Sequence, residues 1–132
     1  MKIIDGAGAV MGRLASYAAQ EVLKGEEIII VNCEKIIISG SKTFIKEDLE
    51  AKRTRIGSKQ AGPKISRTPE KMIKRAIRGM LPDHREGRGR IAFKKIKCYT
   101  GIPAEFKDKK IILAGKEKPV KYHPIGDFVI QR

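Results

Sequence analysis

The chain has 132 residues, with 29 Lys and Arg against 15 Asp and Glu, a formal net charge of +14. Hydrophobic residues make up 41% and charged residues 33%, which suits a single folded domain over residues 1–132 with one core and leaves little room for a second. No apolar run approaches the roughly 20 residues that cross a bilayer. Met1-Lys2-Ile3-Ile4-Asp5 meets an acid before any secretory stretch, so the expected location is cytoplasmic, with no membrane partner.

In chain order, Lys2 to Asp5 reads as a short strand entering the Gly6-Ala7-Gly8 turn. Leu14, Ala18 and Val22, with Ala15 and Leu23, recur at the helical period and predict a helix from about Gly12 to Lys24, ended by Gly25. Ile28 to Val31 is a continuous β-branched run, as expected of a strand covered on both faces. Ile36 to Ile38 is another, closed by Ser39-Gly40, and a helix is expected from about Lys42 to Lys52. Gly57 to Lys64 has no periodicity and reads as a basic loop.

The clearest helix start follows. Thr68 can cap, Pro69 suits the first helical position and Glu70 suits the positive end of the helix dipole. Met72, Ile73, Ala76, Ile77, Met80 and Leu81 fall on one face, and Lys71, Lys74, Arg75 and Arg78 on the other. A second basic loop is expected over Asp83 to Arg90, then a short helical turn at Ile91 to Lys95 and a strand at Ile96 to Tyr99. Ile111 to Ala114 is the last apolar stretch, within a tail that runs from Glu105 to the end of the domain. Alternating strands and helices predict an α/β, three-layer domain: a mostly parallel sheet of about four strands flanked by helices, with basic loops.

The charge is unevenly spread. Lys52 to Lys97 contains 16 Lys and Arg and three acids, a net of 16 − 3 = +13, so the rest of the chain contributes 13 − 12 = +1. Like charges repel, and such a field suits a polyanionic partner. An ordinary solvated helix mixes signs, whereas the polar face of the helix after Thr68 has four cations and no acid. Basic amphipathic helices also lie on membranes. Here the apolar face is expected to serve a core, and both flanking loops are basic, which favours nucleic acid. Arg85, Arg88 and Arg90 alternate with Gly87 and Gly89, which let a backbone come close. Arg can grip phosphate in a bidentate way and Lys acts as a mobile point charge. With three Tyr, four Phe and no Trp, a sheet that stacks single-stranded bases is not expected. The expected target is a folded RNA, recognised by backbone and shape. The expected contacts are Arg53, Arg55, Lys59, Lys64, Arg67, Lys71, Lys74, Arg75, Arg78, His84, Arg85, Arg88, Arg90, Lys94, Lys95 and Lys97.

A competing pattern lies at the N-terminus. A strand, Gly6-Ala7-Gly8, a helix and Glu34 after the next strand resemble a dinucleotide-binding unit. The third glycine position holds Met11, however, and Gly12 falls one place late, so a turn that packs the first helix on the sheet is the simpler account. Neither His84 nor His123 has a nucleophile or carboxylate at a telling spacing. Cys33 and Cys98 have no metal-ligand spacing and read as small core residues kept reduced. No catalytic site, cofactor, metal or small-molecule substrate is expected.

Several stretches resemble one family. Gly12-Arg13-Leu14-Ala15-Ser16, Val31-Asn32-Cys33-Glu34-Lys35 and Ser39-Gly40 are similar to the opening of the ribosomal protein L-thirteen family of the large subunit. Arg67-Thr68-Pro69-Glu70, Arg78-Gly79-Met80-Leu81-Pro82 and Gly89 through Gly101 resemble its central motifs, in the same order. The resemblance covers about Met1 to Pro103. It implies an α/β domain that binds large-subunit ribosomal RNA beside neighbouring ribosomal proteins, supports subunit assembly and catalyses nothing. The lack of a long C-terminal extension points to the archaeal type. A free-standing RNA-binding translational regulator is the alternative from another class, and a dinucleotide-dependent enzyme a more distant one.

Overall fold

The computed structural model describes residues 1–55, 67–115, 119 and 121–128. Its elements in chain order are β1 (Lys2–Asp5), α1 (Met11–Leu23), β2 (Ile28–Val31), β3 (Ile37–Ser39), α2 (Lys42–Thr54), α3 (Pro69–Met80), α4 (Gly87–Lys94), β4 (Ile96–Cys98), β5 (Ile111–Leu113) and β6 (Tyr122–Pro124), with short 3-10 turns between them. The main sheet has the order β4-β2-β1-β5, and every pairing in it is parallel. Lys2 lies opposite Ile28, Ile28 opposite Ile96, and Ile3 opposite Ile111.

β2 is buried at all four positions, which is why it reads as an unbroken apolar run. The pleat sends alternate residues to opposite faces. Ile28 and Ile30 join Ile4 and the apolar residues of α1, α3 and α4 on one side. Ile29 and Val31 join Ile3 on the other, beneath Phe106 of the 3-10 turn Ala104–Phe106. These are the three layers predicted by the alternation, and the layer beneath Phe106 is the thinner.

α1 buries Leu14, Ala15, Ala18, Ala19 and Val22. It stops where predicted: the Gly25 N–H donates to the Val22 carbonyl at 3.1 Å, and Gly25 takes φ +101°, a left-handed conformation that a side chain would disfavour. α3 packs on α1 and β4 through Met72, Ile73 and Ile77. Burying each such side chain fully is worth about 1.5–3 kcal/mol.

Four sequence expectations are corrected. The Thr68 hydroxyl does not cap α3; it is buried with no hydrogen-bond partner among the described residues. Pro69 at the first position has no N–H to satisfy and already holds a helical φ, so the start does not depend on that cap. Met80 is 43% exposed and does not join the core, because α1 presents its exposed Ser16 to that last turn; the Ser16 hydroxyl donates to Met80 Sδ at 3.6 Å. α4 begins at Gly87, so Arg88 and Arg90 stand on a helix and not in a loop. Two glycines in its first turn lower helix propensity enough to hide it from pattern reading. Finally, β3 stays out of the main sheet and pairs antiparallel with β6, Ile38 opposite His123. The tail thus returns to the domain, helped by the Ile125 N–H donating to the Ile36 carbonyl at 2.7 Å.

Candidate nucleic-acid interface

α3 carries the first group of predicted contacts. Lys71 is exposed, while Lys74, Arg75 and Arg78 are half-buried along the flank of the helix. Lys74 Nζ lies 5.0 Å from the centroid of the Phe93 ring, a cation–π contact that fixes where its charge stands. His84 meets the same ring edge-on at 6.2 Å. Phe93 is therefore an aromatic post between two predicted contacts.

α4 carries Arg88, Arg90 and Lys94, all exposed. Of Gly87 and Gly89, read from sequence as openings for another backbone, Gly89 serves the chain itself, while Gly87 has open space about it and takes φ +62°. A β-carbon at Gly89 would lie 2.3 Å from the Pro82 carbonyl oxygen and 2.4 Å from that of Asp83. The glycine lets the start of α4 seat against the Leu81-Pro82-Asp83 turn, which Asp83 tightens by accepting the Arg85 N–H at 3.0 Å. Arg85 is exposed on that turn. Lys95 is half-buried, and its ammonium donates to the Gly25 carbonyl at 3.2 Å, tying α4 to the end of α1. Lys97 is exposed on β4, the edge strand.

Arg53 has a packing role. Its Nη2 donates to the Phe128 carbonyl at 3.3 Å, and burial, then the nearby charge of Arg67, lower its pKa from the ordinary arginine value. Arg55 and Arg67 are exposed. Lys59 and Lys64 lie outside the described residues.

Three of the acids pair with cations among the described residues. Glu21 accepts from Lys2 and, at 2.8 Å, from Lys24; Glu26 pairs with the N-terminus at 3.2 Å, and Asp48 with Lys52 at 2.9 Å. Within the basic segment Glu70 accepts from the Thr100 hydroxyl at 2.8 Å and Asp83 from a backbone N–H. Among the described residues, Lys71, Arg85, Arg88, Arg90, Lys94 and Lys97 have no carboxylate partner. Outside the segment Lys2, Lys24 and the N-terminus are paired with acids, whereas Lys35, Lys42, Lys46, Lys107, Lys109, Lys110 and Lys121 have no carboxylate partner among the described residues; the segment stands out by the density of its unpaired cations.

Phe93, met by Lys74 and His84, and Tyr99, which rests on Phe106, are not among the residues singled out from the sequence. Tyr99 directly follows β4, two residues beyond the exposed Lys97.

The N-terminal glycine turn is filled by the chain. The Gly6 N–H donates to the Val31 carbonyl at 2.9 Å, Gly8 to Lys35 at 3.1 Å and Val10 to Gly115 at 2.9 Å, and the Ala7 N–H donates to Asp5 Oδ1 at 3.0 Å. These donors of the turn are thus used within the chain and are not open to a pyrophosphate. Cys33 is buried and Cys98 half-buried, both as free thiols. Among the described residues no three His, Cys, Asp or Glu side chains gather as a metal site, and no helix is long and apolar enough to cross a membrane.

Comparison with known proteins decides the family. The family model described as ribosomal protein L13 matches residues 1–105. The chain belongs to the ribosomal protein L13 family. Archaeal relatives agree along nearly its whole length. The large ribosomal subunit protein uL13 of Methanococcoides burtonii is 42% identical over 132 residues, covering 96% of this chain and 94% of the relative. That of Methanocaldococcus jannaschii is 43% identical over 132 residues, covering 97% and 94%. That of Methanosphaera stadtmanae is 43% identical over 120 residues, covering 89% and 84%. L13 is a family of structural ribosomal proteins and not of enzymes.

Proposed function

We propose that this L13 chain is a structural constituent of the large ribosomal subunit that binds large-subunit ribosomal RNA through its backbone and shape. In that role it supports subunit assembly beside neighbouring ribosomal proteins, within the cytoplasmic ribosome. One observation carries the reading: within a segment of net charge +13, the exposed cations Lys71, Arg85, Arg88, Arg90, Lys94 and Lys97 stand without carboxylate partners among the described residues. A monomeric surface gains nothing from that arrangement, whereas phosphates supply the missing counter-charge and release condensed counterions. The names of the archaeal relatives supply the kind of particle. The RNA contacts proposed are the fourteen described residues of the predicted set, together with Lys59 and Lys64.

Crosslinking the protein in cell extract and sequencing the attached RNA tests this. Reads should concentrate in large-subunit ribosomal RNA. Reads spread across messenger RNAs would overturn the reading in favour of a free-standing regulator.

A further inference from the structure

The basic face is not uniformly convex. A cleft of about 270 Å³ opens between α3 and the outer edge of β4, lined by Glu70, Lys71, Lys74, Lys97, Cys98 and Tyr99. Three lysines from two elements line it with a single acid, a formal excess of 3 − 1 = +2. Small-molecule pockets begin at roughly 300 Å³, so this cleft is too small for a larger ligand and suits a single flat group with its charge at the rim.

The walls are held in place. The Tyr99 N–H donates to the Ile30 carbonyl at 2.8 Å, and the Tyr99 carbonyl accepts from the Cys33 N–H at 3.2 Å. The Tyr99 ring rests on Phe106 at 5.7 Å between centroids, tilted by 43°. Lys74 is set by its contact with Phe93. On the α3 side Glu70 is tied to Thr100. An aromatic ring with a fixed backbone, flanked by cations, is the pairing that single nucleotides select: the ring accepts any base, and the cations accept its phosphate.

We infer that this cleft takes one splayed-out nucleotide of the bound RNA, its base against Tyr99 and its phosphate among Lys71, Lys74 and Lys97. The inference rests on the ribosomal RNA reading and adds to it a site that backbone and shape recognition does not need. An acidic peptide of a neighbouring protein is the rival occupant. It would use the charges but leave the aromatic wall idle, and the cleft continues the face already given to RNA.

The experiment uses large subunits carrying the protein, washed in salt to strip free nucleotides, irradiated with ultraviolet light and digested with nuclease and protease. The peptide containing Lys97, Cys98 and Tyr99 should carry a nucleotide adduct. Lys97→Ala, at an exposed position that leaves folding intact, should cut that adduct while adducts on the Arg88 and Arg90 peptide persist. Tyr99→Leu should do the same, with its unfolding midpoint measured alongside because Tyr99 touches Phe106. Adducts on α4 with none at Lys97 to Tyr99, or a peptide–peptide crosslink there, would overturn the nucleotide site and leave the ribosomal reading standing. Absence of ribosomal RNA adducts anywhere on the chain would overturn that reading itself.

Discussion

Gly89 approaches Pro82 so closely that a β-carbon on the glycine would stand 2.3 Å from the proline carbonyl oxygen. The obstacle is backbone, which cannot swing aside as a side-chain tip can. This contact seats α4, and α4 presents Arg88, Arg90 and Lys94.

Gly89→Ala is therefore expected to destabilise the fold by about 1–3 kcal/mol, the range for forcing extra atoms into a packed site. Gly79, near the end of α3, is the contrast: nothing lies within 4 Å of a β-carbon there. Gly79→Ala should be neutral or stabilise by up to about 1 kcal/mol through helix propensity. Denaturant unfolding of both variants checks the pair. Equal stability of Gly89→Ala and the parent would mean that α4 is not seated as described.

Arg88 is exposed on α4 and has no carboxylate partner among the described residues. As a phosphate contact it should be worth about one unit of salt slope. The affinity of Arg88→Ala for large-subunit ribosomal RNA should therefore fall less steeply with salt, by about threefold between roughly 50 and 200 mM. The loss should be similar across RNA sequences, since a phosphate carries no base identity. A salt slope identical to the parent's would remove Arg88 from the interface.

How much of this was legible beforehand depends on how local the signal was. β2 and α1 could be read because an apolar run and a 3.6-residue period are properties of neighbouring residues. The unequal charge of Lys52 to Lys97 was equally plain. The start of α4 was not, because Gly87 and Gly89 argue against helix until Pro82 comes up against Gly89 in space. The pairing of β3 with β6 joins residues more than eighty positions apart, which no local window contains. The cleft at Tyr99 was hidden for the same reason: Lys71 and Lys74 reach it from α3, and Lys97 from a strand.

Glu21 is buried in α1 and accepts from both Lys2 and Lys24. The hydrogen bond from Lys2, then that from Lys24, hold its carboxyl below the ordinary value of 4.5. A carboxylate with a depressed folded pKa contributes stability above its unfolded pKa and loses it as pH falls through the folded one. The stability gap between the parent and Glu21→Gln should thus be constant near neutrality and close as the pH drops below 4.5. Lys2 works in the opposite direction. Its pKa is raised above 10.5, first by the hydrogen bond to Glu21, so its contribution persists through neutral pH and is lost in strong alkali. Unfolding curves across the acid range check the first statement. A gap that widened toward low pH would contradict the assigned direction.

The two thiols should differ sharply in reactivity. Cys33 is fully buried at the end of β2, and hydrogen bonding with Cys98, then burial, push its thiol pKa up. Only a thiolate attacks an alkylating reagent, so a raised pKa and lack of access both slow Cys33. Cys98 is half-buried and lines the cleft beside Tyr99. Under native conditions iodoacetamide should label Cys98 first, and Cys33 should react only as the domain unfolds. Its labelling rate then follows the population of the open state, so denaturant below the midpoint should accelerate Cys33 in step with the unfolding free energy. Mass spectrometry of the two peptides over time gives both rates. Equal native rates would show that the ends of β2 and β4 part without global unfolding, and that Cys33 is no part of a closed core.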